Sequence, residues 1–219
     1  MTMLDEAKIT EIFFMVDEFC KEYIKTVNKF SLSAADSGKK HRNKPSRLSD
    51  SEVITILILF HLSGYRCLKH FYLQHVCIHM QLLFPSQVSY NRFVELEKKV
   101  IVPMVCFLKT CLPGKCTGIT FVDSTRLCVC KNQRIHNHKV FKGIAQRGKT
   151  SMGWFYGFKL HIICNEKGEI LNFVFTTGNV DDRAPLTATN LLKGVIGKLV
   201  GDKGYIGESL FNKLFFNGI

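Results

Sequence analysis

The spacing of apolar residues changes character once along this chain. Up to about residue 115 they recur at helical spacing, and beyond Pro113-Gly114 they alternate as in strands. Over 4–30, Ile9, Ile12, Phe13, Val16, Phe19, Cys20 and Tyr23 fall on one helix face. A polar, basic run at 37–47 reads as an exposed loop. Ser49-Asp50-Ser51-Glu52 then opens an apolar run to 62, with Ser49 as N-cap and Glu52 as its capping-box partner. Ser63-Gly64 closes that helix. Further helices are predicted over 68–83 and 90–111, with a turn at Pro85-Ser86 and either Ser89 or Asn91 as the cap. In the second half, 117–122 and 125–130 are rich in β-formers, and 156–164 alternates strongly. Asn165-Glu166-Lys167-Gly168 makes a tight hairpin, and 170–176 returns as a strand. A helix over 184–193 with Asp182 as N-cap, a short strand at 198–200 and an amphipathic helix over 206–216 complete the order. The expectation is an all-helical domain at 1–115 followed by an α/β domain at 116–219 with an antiparallel opening.

Composition narrows the class. A chain of 219 residues can bury a sizeable core, and 46% hydrophobic residues exclude a disordered tail. A formal charge of +12 and a pI near 9.3 favour nucleic acid or an anionic membrane surface as partner. The longest apolar run, 53–60, is interrupted by Thr55 and falls far short of the ~20 residues that span a bilayer. The N-terminus lacks the basic and apolar regions of a signal peptide. A cytoplasmic location with reduced thiols follows. Cys106, Cys111 and Cys116 stand at five-residue steps, and Cys128 and Cys130 form a pair. No CxxC occurs, which speaks against zinc, and the pair reads as small hydrophobes sharing a strand face.

The charge is uneven. No Asp or Glu occurs over 124–165, which carries Arg126, Lys131, Arg134, Lys139, Lys142, Arg147, Lys149 and Lys159. Such a run is usually a solvated face, but this one follows a candidate catalytic acid, as a stretch tracking a phosphate backbone would. The helical half, with short helices and scattered cations, suits a DNA-binding module as well as it suits a packing domain with a solvated basic face.

Two acids each close an apolar, β-prone run: Asp123 in Thr120-Phe121-Val122-Asp123-Ser124-Thr125, and Asp202 in Lys198-Leu199-Val200-Gly201-Asp202-Lys203-Gly204-Tyr205. Phosphodiester cleavage by two metal ions needs hard carboxylate ligands that hold the two ions ~3.5–4 Å apart, and neighbouring strands position such ligands well. The plainer readings are an acid bonded to the turn after its strand and a Gly-Asp-Lys-Gly turn acid. Asp181 and Asp182 are adjacent, so their side chains diverge, and capping accounts for Asp182. His136 and His138 could share a strand face, but phosphate contact or plain exposure suits them better than metal. Trp154, Phe155, Tyr156 and Phe158 could stack on an unpaired base, though strand packing is the simpler reading.

Several blocks resemble a DDE-type bacterial insertion-sequence transposase. They are Val122-Asp123-Ser124-Thr125, Gly157-Phe158-Lys159-Leu160-His161, Thr177-Gly178-Asn179-Val180-Asp181-Asp182 and Gly201-Asp202-Lys203-Gly204-Tyr205-Ile206-Gly207, with Ser49-Asp50-Ser51-Glu52-Val53-Ile54 similar to the helical region. The resemblance implies an RNase H-like mixed sheet at 116–219 behind an N-terminal helical, DNA-binding domain. It implies Mg²⁺ or Mn²⁺ as cofactor, with Asp123 and Asp202 as the first and second catalytic and metal-binding acids. Its activity would be cleavage and strand transfer of insertion-sequence DNA ends. Its partners would be duplex DNA, both transposon ends and target, with a homodimer as candidate assembly and a nucleoid-associated location. The family's third acid is a Glu on a helix some tens of residues past the second Asp. Glu208 is the sole acid after Asp202 and belongs to the first turn of a helix, where acids offset the helix dipole. The expectation is therefore a catalytic domain incomplete at its C-terminus. The alternatives are a non-catalytic DNA-binding fragment and another RNase H-like nuclease.

Overall fold

The computed structural model describes residues 5–31, 46–216 and 218–219. The predicted basic loop at 37–47 lies, up to residue 45, outside them. The chain divides into two compact units, Met1–Cys111 and Leu112–Ile219.

The first unit is helical: α1 (Glu6–Ser31), α2 (Asp50–Ser63), α3 (Leu68–His70), a π-type segment (Phe71–Val76), α4 (Cys77–His79) and α5 (Tyr90–Thr110). Both bonds of the capping box form at α2. The Ser49 hydroxyl accepts from Glu52 N at 3.1 Å, and Ser49 N donates to Glu52 Oε2 at 2.7 Å. Ser89, not Asn91, caps α5. Val16, Val53, Ile54, Ile56, Leu59, Phe71, Tyr72 and Phe93 are buried in one cluster. The Ser51 hydroxyl donates to Asp17 at 2.8 Å and ties α2 to α1. Among the described residues no single helix is long and apolar enough to cross a membrane; only the bent pair Asp50–Ser63 and Leu68–His79 passes jointly on composition, and α2 is buried in this core.

The second unit is a mixed five-stranded sheet with its two α-helices on either side of the last strand in sequence. Its strands are β1 (Ile119–Cys130), β2 (Gln146–Thr150), β3 (Gly153–Asn165), β4 (Ile170–Thr177) and β5 (Lys198–Gly201). Helices α6 (Ala184–Ala188) and α7 (Glu208–Phe216) flank β5 in sequence. β3 pairs antiparallel with β1 on one side. On its other side it pairs with β2 and β4, which meet end to end, where Gly148 leaves no room for a Cβ against the Gly178 carbonyl. β5 joins β1 in parallel, across the connection that contains α6. Antiparallel strands opening into a parallel fourth beside the first is the RNase H-like order. One face of this sheet, with Val122 and Ile163, packs on Leu186, Leu191, Val195 and Leu210.

The observed elements correct several expectations. The strands expected at 117–122 and 125–130 are one continuous strand, because β3 pairs with both halves, from Thr120 opposite Asn165 to Cys130 opposite Tyr156. Asp123 therefore lies inside a strand and not at its end. A bulge between Cys128 and Cys130 breaks the alternation, and Cys128 is exposed instead of packed. Gln146–Thr150 was not expected as a strand; its polar residues carry no apolar alternation, and β3 recruits its backbone. The helix predicted over 184–193 breaks at Thr189. The Thr189 hydroxyl donates to Pro185 O at 2.6 Å and accepts from Leu191 N at 3.2 Å, diverting the backbone into a 3₁₀ turn. His136 lies on a 3₁₀ turn (Asn132–Asn137) with His138 just after it, so the two do not share a strand face.

Candidate active site

The parallel pairing of β1 and β5 places the two candidate acids. Ile119 stands opposite Lys198 and Val122 opposite Gly201, an offset of 79 positions (201 − 122). Asp123 and Asp202 have that same offset and follow the last paired couple. Neighbouring strands lie ~4.8 Å apart, so the acids emerge side by side where β5 stops and β1 runs on.

Each carboxylate is fixed by its own backbone. Asp123 Oδ1 accepts from Ser124 N at 2.7 Å. Asp202 is the N-cap of a short 3₁₀ turn (Lys203–Tyr205), with Oδ1 accepting from Gly204 N at 2.9 Å. Both residues are exposed, and neither pairs with a cation among the described residues. In a chain of 30 Lys and Arg against 18 Asp and Glu, two unpaired neighbouring aspartates stand out.

The next acids are engaged otherwise. Asp182 does not cap α6, whose N-cap is Arg183 without a side-chain bond. Its Oδ1 accepts from the Ser124 hydroxyl and from Lys159 Nζ, both at 3.0 Å. Lys159 also donates to Val180 O at 2.8 Å. Asp181 takes a two-pronged contact from Arg183, with Nε at 2.9 Å and Nη2 at 3.0 Å, and this guanidinium holds its carboxyl down at about 2. Among the described residues no three His, Cys, Asp or Glu side chains converge as a metal site. Asp123 and Asp202 suit a hard divalent cation through exposed, unpaired carboxylate oxygens, and would supply two of its ligands.

Beneath the acids lies a buried polar layer that the sequence reading did not single out. Val122 and Ser124 point to the core face of β1, and His161 lies opposite Ser124 on β3. His161 is fully buried; Nε2 meets the Thr176 hydroxyl at 2.9 Å, and Nδ1 has no partner. Burial pushes its pKa down, partly countered by Asp182. The Tyr205 hydroxyl is also buried without a hydrogen bond of normal geometry. Burial, followed by a counteracting pull from Ser124 and repulsion from Asp182, Asp123 and Asp202, pushes it up to about 12. Ser124, His161 and Tyr205 each fall within a sequence block quoted above, which was the available sign of this layer.

The expected DNA-facing cations separate into two groups. Lys131, Arg134, Lys139, Lys142, Arg147 and Lys149 are exposed, and Arg126 is half-buried. Lys159 is 6% exposed and held by Asp182, so it leaves the phosphate-facing set. Trp154 is 52% exposed, unlike its buried neighbours Phe155 and Tyr156, so strand packing does not account for it. Arg147 lies 5.0 Å and Lys149 5.7 Å from its ring centroid.

Residues 113–219 match the family described as "Transposase DDE domain". No curated protein and no solved structure matches significantly.

Proposed function

We propose, from the match of residues 113–219 to the transposase DDE domain family, that the chain cleaves and joins insertion-sequence DNA ends with a divalent cation held by Asp123 and Asp202. The observation that carries this reading is the shared register of the two acids across β1 and β5. Mg²⁺ or Mn²⁺ at such carboxylates activates an attacking hydroxyl or water and stabilises the leaving oxygen. Asp123 and Asp202 hold and orient. Ser124, Asp182 and Lys159 brace β1 from below. The exposed cations after Asp123 give the DNA backbone a path leading away from the acids.

The test is a cleavage assay with Mg²⁺ or Mn²⁺ on DNA carrying the sequences that flank this protein's own coding region. Cuts at those ends, reduced about a hundredfold or more by Asp123→Asn and by Asp202→Asn, are the expected result, given that a catalytic metal supplies several kcal/mol. Cleavage indifferent to both substitutions overturns it. A second reading, DNA binding without catalysis, is favoured by the absence of a third converging carboxylate among the described residues. DNA retention without metal-dependent cuts selects it. Cuts without preference for those ends select a general RNase H-like nuclease.

A further inference from the structure

We propose that Trp154 is a stacking platform for an unpaired DNA base, with Arg147 and Lys149 beside it to take the phosphates flanking that base. The inference rests on the reading of the acid-free basic stretch as a DNA path. Its basis is where the hairpin of β2 and β3 sets the ring. Gly153, at a φ of 104°, closes the turn, and Trp154 follows it on β3. Lys149 stands opposite Trp154 in register, and Arg147 opposite Tyr156. Residues opposite one another, and those two apart along a strand, share a sheet face. Arg147, Lys149 and Trp154 therefore stand together at one end of the sheet, with the guanidinium 5.0 Å and the ammonium 5.7 Å from the ring centroid. These contacts hold the ring without covering it, since Trp154 remains 52% exposed. Asn132 Nδ2 donates to Trp154 O at 2.8 Å and fastens the strand to the 3₁₀ turn that carries Arg134.

An indole half open to water forgoes much of the stabilisation that burying it would give. Neither Arg147 nor Lys149 forms an ion pair among the described residues. A nucleotide offers both things this patch lacks: a flat π-face for the indole and a negative phosphate for each cation. Bases stack on exposed aromatic rings whatever their sequence, and neighbouring cations add phosphate attraction. Inside a duplex both faces of a base are covered by its neighbours, so the ring selects unpaired bases. The platform also shares a face with the site. Alternation along β3 carries Trp154 and Ile162 to the same side, and Ile162 stands opposite Asp123. The eight residues between them (162 − 154) span ~26 Å at the rise of a strand. A DNA strand leaving the acids along this face meets the platform at that distance.

The probes are a dye-labelled oligothymidylate and a labelled duplex of the same length, titrated with the full chain and followed by anisotropy. Trp154→Leu removes the π-face and Trp154→Phe keeps one. The expected result is that Trp154→Leu weakens oligothymidylate binding about tenfold or more, Trp154→Phe recovers most of the loss, and duplex affinity stays within about twofold in both variants. Oligothymidylate should also quench the tryptophan emission of the unaltered chain. Equal losses on both probes, or no loss on oligothymidylate, overturn the role of Trp154. If the unaltered chain binds neither probe at low salt, the reading of the basic stretch as a DNA path falls and the platform falls with it. If it binds duplex and Trp154→Leu leaves oligothymidylate binding intact, only the inference about Trp154 fails.

Discussion

Single residues in this domain divide by whether they have a partner. Asp123 and Asp202 have no cation partner among the described residues, while Asp181 and Asp182 are each matched to a basic group. Lys159→Met leaves the Asp182 carboxylate without its cation. Breaking a fully buried pair costs about 3–5 kcal/mol, and with the Asp182 side chain 35% exposed a loss of about 2 kcal/mol is expected. Urea unfolding measures it, and Lys159→Met combined with Asp182→Asn should recover part of the loss. A smaller loss in the single variant than in the double would refute the pairing. His161 gives a pH signature. Its folded pKa is lowered by burial, so the unfolded chain binds the proton more readily. Its stabilising contribution is complete above the unfolded value of about 6.5 and declines as pH falls below that, by at most about 1.4 kcal/mol per pH unit. His75 in the helical unit has the same sign. Melting temperatures from pH 8 to pH 5 should therefore drop at the acid end, and less steeply in His161→Gln.

At the level of elements, the glycine before Asp202 is a sensitive point beside the site. Gly201→Ala forces Val122 and the Tyr205 ring to move in a packed contact, at a cost of about 1–3 kcal/mol. Thermal unfolding should register that loss, whereas Gly204→Ala, with open space around its Cβ position, should cost much less. Equal losses would show that the Gly201 contact is not tight. The sequence made the helices legible because their signals are local: the Ser49–Glu52 capping box, the Ser89 cap and the apolar face of α1 all lie within a few turns. The hairpin after β3 was legible for the same reason, since Asn165 and Gly168 form the turn themselves. What escaped depended on distant partners. β2 exists because β3 lends it a ladder, β1 is continuous because β3 spans its polar centre, and Asp182 abandons its cap for Ser124 and Lys159, 58 and 23 positions away. Strand polarity and register decide whether Asp123 and Asp202 meet, and neither is written locally around either acid.

Across the whole chain, the excess of positive charge makes a measurable claim about DNA. The exposed cations Lys131, Arg134, Lys139 and Lys142 between β1 and β2, and Arg147 and Lys149 on β2, lie in a stretch without acids, and each neutralised phosphate steepens the log–log salt dependence of affinity by about 0.9. Trp154 is the single tryptophan of the chain and sits beside Arg147 and Lys149, so its fluorescence reports on this region alone. Duplex DNA should change that emission, with affinity falling steeply between low and physiological salt. Arg147→Ala and Lys149→Ala should each lower the slope by about one, uniformly across sequences. Lys159→Met provides the contrast, because a buried lysine bonded to Asp182 and Val180 releases no counterions when DNA binds. Its slope should equal that of the unaltered chain even where stability falls. A flat salt response would remove the basic stretch from the DNA path. A reduced slope in Lys159→Met would mean that the Lys159–Asp182 pair opens on binding and that the lysine reaches the phosphates after all.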